Sequence, residues 1–241
     1  MTHLQFQLIL ALFAAHLIGD FVLQSRESTE NRSNFWVLLR HSSTVTALSY
    51  LLVGAWPVWE IPVTILITHT LIDFVKTRSN RDGIIAFSLD QLTHIAVIVA
   101  IALWIGRDDT LSLFWLERSG VTTAFVIVAG AVAATAASAV LIETVLRPFQ
   151  QDLSSELNQR GFPGGGRTIG NLERFLIFVL VMADQAGAVG FLIAAKSIFR
   201  FGELQKRENR QEAEYIIIGT MWSFVCGLVV SLIARWLLNQ G

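Results

Sequence analysis

The stretch Leu8-Ile-Leu-Ala-Leu-Phe-Ala-Ala-His16-Leu-Ile-Gly-Asp20 decides how this chain folds. It is apolar enough for a lipid bilayer, yet it ends on a histidine and an aspartate four residues apart. Two further apolar stretches carry the same pair, as His69-Thr-Leu-Ile-Asp73 and, reversed, as Asp90-Gln-Leu-Thr-His94. An ionisable side chain at the bilayer centre costs about 2.5–3.5 kcal/mol on insertion scales. A chain that bears this cost repeatedly, with one pair of residue types at one spacing, is building a polar site inside a membrane.

Composition agrees. The 241 residues are 53% hydrophobic and 15% charged, against about 25% charged in a typical soluble domain. A bilayer core about 30 Å thick needs roughly 20 apolar residues at 1.5 Å rise each. Seven segments qualify as apolar: Gln5–Gln24, Trp36–Ala55, Ile61–Lys76, Leu89–Ile105, Val121–Leu146, Leu172–Ile198 and Tyr215–Leu238. The expected fold is all-α, a polytopic transmembrane helical bundle. Residues 1–112 would form a four-helix domain with a His/Asp polar core, and residues 113–241 the C-terminal helices with charged cytoplasmic connections. The net charge of −1 leaves no footprint for nucleic acid. Cys226 is the single cysteine, so no internal disulfide or zinc ribbon exists. The N-terminus lacks a basic n-region and a small-residue cleavage site, so the first run is expected to remain as a helix.

Lys and Arg set orientation. Arg26, Arg32 and Arg40 follow the first span; Lys76, Arg78 and Arg81 follow the third; the connection between the second and third has neither. This alternation predicts an outside N-terminus, with the first and third connections in the cytoplasm. Trp56-Pro-Val-Trp59-Glu60-Ile-Pro62 reads as a tight interfacial turn between the second and third spans, and Trp104 and Trp115 mark the same face at the next connection. Arg107 and Arg118, offset by acids, suit the outside, and Arg160 and Arg167 suit the inside. Alternation fails at the sixth segment, which is followed by Arg200, Lys206, Arg207 and Arg210. That segment contains Asp184-Gln-Ala-Gly187-Ala-Val-Gly190. It reads either as an ordinary span or as a broken, re-entrant hairpin buried in protein.

Residues at i and i+4 share a helix face. His16, Asp20 and Gln24 therefore form one stripe, His69, Asp73 and Lys76 another, and Asp90 and His94 a third. His41, followed by Ser42, Ser43 and Thr44, opens the second span. With alternating spans, all seven histidines and aspartates fall within roughly 12 Å of one membrane face. Four antiparallel helices can turn these faces inward, as bundles that hold metals do. Imidazole and carboxylate suit zinc, manganese or iron. His16, Asp20, His69, Asp73, Asp90 and His94 are the candidate ligands of a divalent metal, with zinc or manganese foremost. His41 is a further ligand or a general base, and Lys76 would contact an anionic substrate. Gln24 and Gln91 would orient ligands.

At these residues the chain resembles the bacterial integral-membrane family known as domain of unknown function 3307. The resemblance rests on Ala15-His16-Leu-Ile-Gly-Asp20-Phe-Val-Leu-Gln24, on His69-Thr-Leu-Ile-Asp73-Phe-Val-Lys76 and on Asp90-Gln91-Leu-Thr-His94. Longer members are similar also around Gly166-Arg-Thr-Ile-Gly170-Asn-Leu-Glu-Arg174, Ala195-Lys196-Ser-Ile-Phe-Arg200-Phe and Glu214-Tyr-Ile-Ile-Ile-Gly-Thr220. The resemblance implies no activity. Its His/Asp helices are similar in style to membrane-bound metal-dependent hydrolases.

In the second half, the alanine-rich run Ala124–Ala139 reads as close helix packing. Gly164-Gly-Gly-Arg167 reads as a flexible turn rather than a phosphate cradle, since it lacks the Lys-Ser/Thr of a P-loop. Asp184 and Lys196, about 18 Å apart on one helix, would not pair. Lys196 would snorkel outward with Arg200, and Glu173 and Arg174 would cap and anchor the run. The segment 200–214 reads as a solvated helix or a docking surface for a soluble partner.

Three functions follow as expectations. The first is a membrane-embedded, metal-dependent hydrolase acting on a lipid or phosphate-bearing substrate near the cytoplasmic leaflet. The second is a transporter or channel for protons or a divalent ion. The third is a non-catalytic membrane scaffold.

Overall fold

The computed structural model describes residues 1–24, 34–79, 83–108, 111, 113–115, 120–151, 162, 164–204 and 210–239. Secondary structure among them is all helical, with no strand. Two compact units emerge, Met1–Val132 and Ala133–Gln240.

The first unit holds α1 (His3–Phe21), α2 (Phe35–Val53), α3 (Glu60–Ser79), α4 (Ile84–Ile105) and α5 (Val121–Val132). Local chemistry sets the ends. Thr2 and Gln5 make a reciprocal capping box at the start of α1. Asn34 accepts from the Trp36 N–H and caps α2. Gly54 closes α2 at φ 68°, a left-handed conformation natural to glycine. The Trp56–Trp59 segment forms the expected turn, and Trp115 Nε1 donates to the Leu51 carbonyl beside it at 2.9 Å.

Four of these helices close a ring: α1 packs against α2 and α4, and α3 packs against the same two. α5 lies on α1. One end of the ring is a dry core of Leu8, Leu12, Val53, Ile61, Ile65, Ile98 and Ile101. These residues come from the start of α1 and α3 and the end of α2 and α4. The opposite ends of the same helices carry the histidines and aspartates, so the chain runs up and down as alternation requires. In a bilayer this core holds its helices through close packing rather than exclusion of water.

The second unit holds the π-helical segment Ala133–Ala137, then α6 (Ser138–Gln151), α7 (Gly165–Met182), α8 (Ala186–Leu204) and α9 (Arg210–Leu238). The apolar segment Leu172–Ile198 is not one continuous span. It breaks after Met182, where Asp184 takes φ 65°. Arg235 holds the break: its guanidinium pairs with Asp184 at 2.8 Å and donates to the Val181 and Met182 carbonyls at 3.2 and 2.9 Å. Lys196 does not snorkel away but pairs with Glu173 on α7 and lies 5.1 Å from the Phe224 ring centroid. Gly165 and Gly166, expected in a turn, form the first turn of α7. Arg174, expected at an interface, is 3% exposed. It donates to the Ala134 and Thr135 carbonyls of the π segment, to Ser223 Oγ and to Asn171 Oδ1.

Among the described residues, four helices are long and apolar enough to cross a membrane: His3–Phe21, Ile84–Ile105, Val121–Gln150 and Arg210–Leu238. This is fewer than the seven apolar segments expected. Glu60, Asp73, Lys76 and Arg78 dilute α3, hydroxyl residues dilute α2, and Arg167, Glu173 and Arg174 dilute α7. The apolar part of α8, Ala186–Ile198, is short. Arg26, Arg32, Arg81, Arg118, Arg160, Lys206 and Arg207, which carried much of the orientation argument, lie outside the described residues. So does 205–209 of the expected docking segment.

Gly19 marks a close approach of α1 to α2. A Cβ there would lie 2.7 Å from Val45 Cγ2, a buried β-branched side chain with little room to yield. Gly19→Ala is expected to destabilise the protein by about 1–3 kcal/mol, read as a lower thermal midpoint in detergent. Gly187→Ala, with nothing within 4 Å of the new carbon, should lower it not at all.

Candidate metal centre

Each ring helix contributes to one cluster. α1 supplies His16 and Asp20, α2 supplies His41, α3 supplies His69, Asp73 and Lys76, and α4 supplies Asp90, Gln91 and His94. His16, His41, His69, Asp90 and His94 are buried, with Asp20 and Asp73 partly so. The i,i+4 pairs do lie side by side, at 3.8 Å for His16–Asp20, 3.6 Å for His69–Asp73 and 3.8 Å for His94–Asp90. The contacts between helices are as close.

His41 lies at the heart of the cluster. Its Nε2 is 3.3 Å from His69 Nε2, 3.3 Å from Asp20 Oδ1 and 3.7 Å from Asp73 Oδ2. His69 Nε2 is 3.5 Å from Asp20 Oδ1 and 3.6 Å from Asp73 Oδ2. Five of the six edges among these four atoms therefore measure 3.3–3.7 Å. Four ligands arranged tetrahedrally at about 2.0–2.1 Å from a zinc ion lie about 3.3 Å apart. Donor type and spacing both fit a metal. Of the two roles expected for His41, the geometry favours ligand.

Surrounding groups orient this set. His16 Nε2 meets Gln91 Oε1 at 3.3 Å, and Gln91 Nε2 donates to Asp90 Oδ2 at 3.1 Å. With Nε2–H donated to the amide oxygen, His16 presents the Nδ1 lone pair towards Asp20. His94 Nδ1 donates to the Asp90 carbonyl at 2.9 Å, which leaves the Nε2 lone pair free. A ligating histidine is normally held in this way by its other ring nitrogen. Lys76, expected to await an anionic substrate, donates to Asp90 Oδ2.

Asp20 Oδ1, Asp90 Oδ1 and His94 Nε2 are buried without a hydrogen-bond partner among the described residues. So are Ser42 Oγ and Thr46 Oγ1 on α2. An unsatisfied buried polar atom costs about 1–3 kcal/mol. Concentrating several in one centre is the arrangement of a site made for a ligand. Three sets of ligand atoms lie within 4.8 Å of one another: His16, Asp20 and His69; His41, His69 and Asp73; and Asp73, Asp90 and His94. Ser42 and Thr46 stand four residues apart on α2, a spacing visible in the sequence, and both hydroxyls are buried. The pairing of Lys76 with Asp90 has no sequence signal, because it depends on how α3 and α4 are rotated.

The first unit is thus a four-helix ring with a buried His/Asp centre. Residues 8–122, the greater part of the first unit, match the family model described as protein of unknown function DUF3307. No curated protein and no solved structure matches the chain.

Gln91→Leu removes the acceptor of His16 and a donor to Asp90 together. It is expected to destabilise the protein by about 1–3 kcal/mol, measured as a fall in the thermal midpoint of metal-free protein in detergent.

Proposed function

We propose that the first unit is a membrane-embedded divalent-metal centre that hydrolyses a lipid or phosphate-bearing substrate at the cytoplasmic leaflet. The observation that carries the metal is the close set of His41 Nε2, His69 Nε2, Asp20 Oδ1 and Asp73 Oδ2, drawn from three helices, in which each imidazole nitrogen lies 3.3–3.7 Å from the other and from both carboxylate oxygens. When bound, a divalent cation activates water and polarises a phosphoryl or carbonyl oxygen. The protein's part is to hold the cation at fixed depth, orient the donors through Gln91, and bring the charge of Lys76 to the membrane face. The Lys76 side chain is 25% exposed, so part of it remains accessible to an anionic headgroup.

Support for hydrolysis over passage comes from the other end of the ring. The apolar cluster of Leu8, Leu12, Ile61, Ile65, Ile98 and Ile101 lies there, whereas the histidines and aspartates gather at the opposite end, which supports a site confined to one leaflet. Proton or divalent-ion movement is the second reading. It is favoured by Ser42, Thr46 and Ser49, a buried polar stripe that continues from His41 along α2.

Elemental analysis of protein purified in detergent tests the metal. Wild type should carry at least one equivalent of zinc or manganese. Asp73→Ala and His41→Ala should each lower affinity by more than the about 10–100-fold that loss of an outer-shell partner costs. Wild type that binds neither metal would sink the proposal. Hydrolysis of a phosphate-ester headgroup by metal-loaded protein, lost in His41→Ala, separates it from passage, which instead predicts metal or proton flux into liposomes.

A further inference from the structure

Asp73 faces two ways. Its Oδ2 lies towards His41 and His69, whereas its Oδ1 lies 3.9 Å from His94 Nε2. On that second side stand the two other unpartnered ligand atoms, His94 Nε2 and Asp90 Oδ1. Their side chains are 4% and 3% exposed. Both are already set for coordination. The bond from His94 Nδ1 to a main-chain carbonyl leaves the Nε2 lone pair outward. Asp90 Oδ2 is occupied by Lys76 and Gln91, so Oδ1 is the oxygen left to face the centre.

We propose that Asp73 Oδ1, Asp90 Oδ1 and His94 Nε2 form a second divalent-cation site, with Asp73 bridging the two ions through its two oxygens. The inference rests on the metal reading above and extends it. Two carboxylate oxygens and one imidazole suit a hard or borderline ion such as Mn²⁺ or Zn²⁺. Three protein donors leave positions open. A bridging carboxylate suits ions about 3.5–4 Å apart, the separation at which paired metals clamp a phosphate ester. The open positions of the second ion are where a phosphoryl oxygen or water would bind, so the substrate class is a phosphate ester and Lys76 stands beside it.

Titration of metal-free protein in detergent with Mn²⁺, followed by calorimetry and by electron paramagnetic resonance, tests the second site. Wild type should take up two equivalents and show an exchange-coupled spectrum. Asp90→Asn, nearly isosteric, should keep the first equivalent and weaken the second at least about tenfold, the lower bound for a lost partner at a metal, with an uncoupled six-line spectrum. His94→Gln should do the same if Asp90→Asn fails to fold. One equivalent in wild type, abolished in His41→Ala, would overturn the second site while upholding the first. Two equivalents untouched by both Asp90→Asn and His94→Gln would also overturn the assignment. No binding at all would overturn both sites.

Discussion

Seven histidine and aspartate side chains share one low-dielectric centre, and the rest of the first unit is arranged around that burden. Isolated charges cannot be taken from water into an apolar interior without partners. The ring answers this by drawing donors and acceptors from all four helices to one depth. Asp20 is met by His16, His41 and His69, and Asp90 by Lys76, Gln91 and His94. Gly19, placed between His16 and Asp20, lets α1 approach α2 closely. The compensation is incomplete, because three ligating atoms still lack partners. Polar networks of this kind are favourable when fully satisfied and costly when they are not. A cation is the natural completion of a set whose open valences are lone pairs.

The second unit meets the same constraint differently. Arg174 is a buried cation whose described hydrogen-bond partners are neutral oxygens: two carbonyls of the π-helical segment, a serine hydroxyl and an asparagine amide. A π-helical turn shifts the backbone ladder and frees carbonyls that an α-helix would use. Arg174 takes up those carbonyls, and Gly170 and Gly227 leave space for its side chain, with a Cβ at either position meeting it at 3.0 and 3.3 Å. Arg235 does similar work at the Asp184 break, bonding carbonyls at the end of α7 while pairing with the aspartate. In both places an arginine stabilises irregular backbone that lipid would not tolerate.

Much of the site was legible in the sequence, because two simple periodicities combine there. The i,i+4 spacing put each His/Asp pair on one face, and alternation of spans put the faces at one depth. His41 joined by depth alone, and the structure places it centrally. What stayed hidden depends on helix rotation. Lys76 meets Asp90 rather than standing free, Gln91 joins His16 to Asp90, and Asp73 offers its two oxygens to different neighbours. At Leu172–Ile198 the sequence left two readings open, an ordinary span and a broken hairpin around Asp184-Gln-Ala-Gly187, and the helix breaks at Asp184. A positive φ at an aspartate leaves no mark in a hydropathy profile, and its partner Arg235 lies 51 residues further along (235 − 184).

The position of the centre limits the chemistry available to it. Leu8, Leu12, Ile65, Ile98 and Ile101 pack together at one end of the ring, and a small cavity lies between Leu12, Ile65, Ile98 and Ile101 and the rings of His16, His69 and His94. Asp20 and Asp73, the least buried of the seven acids and histidines, are 10% and 14% exposed at the side chain. Lys76 is more exposed, at 25%, and its partner Asp90 is as buried as the histidines, at 3%. Accessibility thus rises from the histidines and Asp90 to Asp20 and Asp73 and then to Lys76. The hydrolase proposed above draws support from this order, because an anion approaching along it would meet the Lys76 ammonium first, then the carboxylates of Asp20 and Asp73, and the imidazoles last.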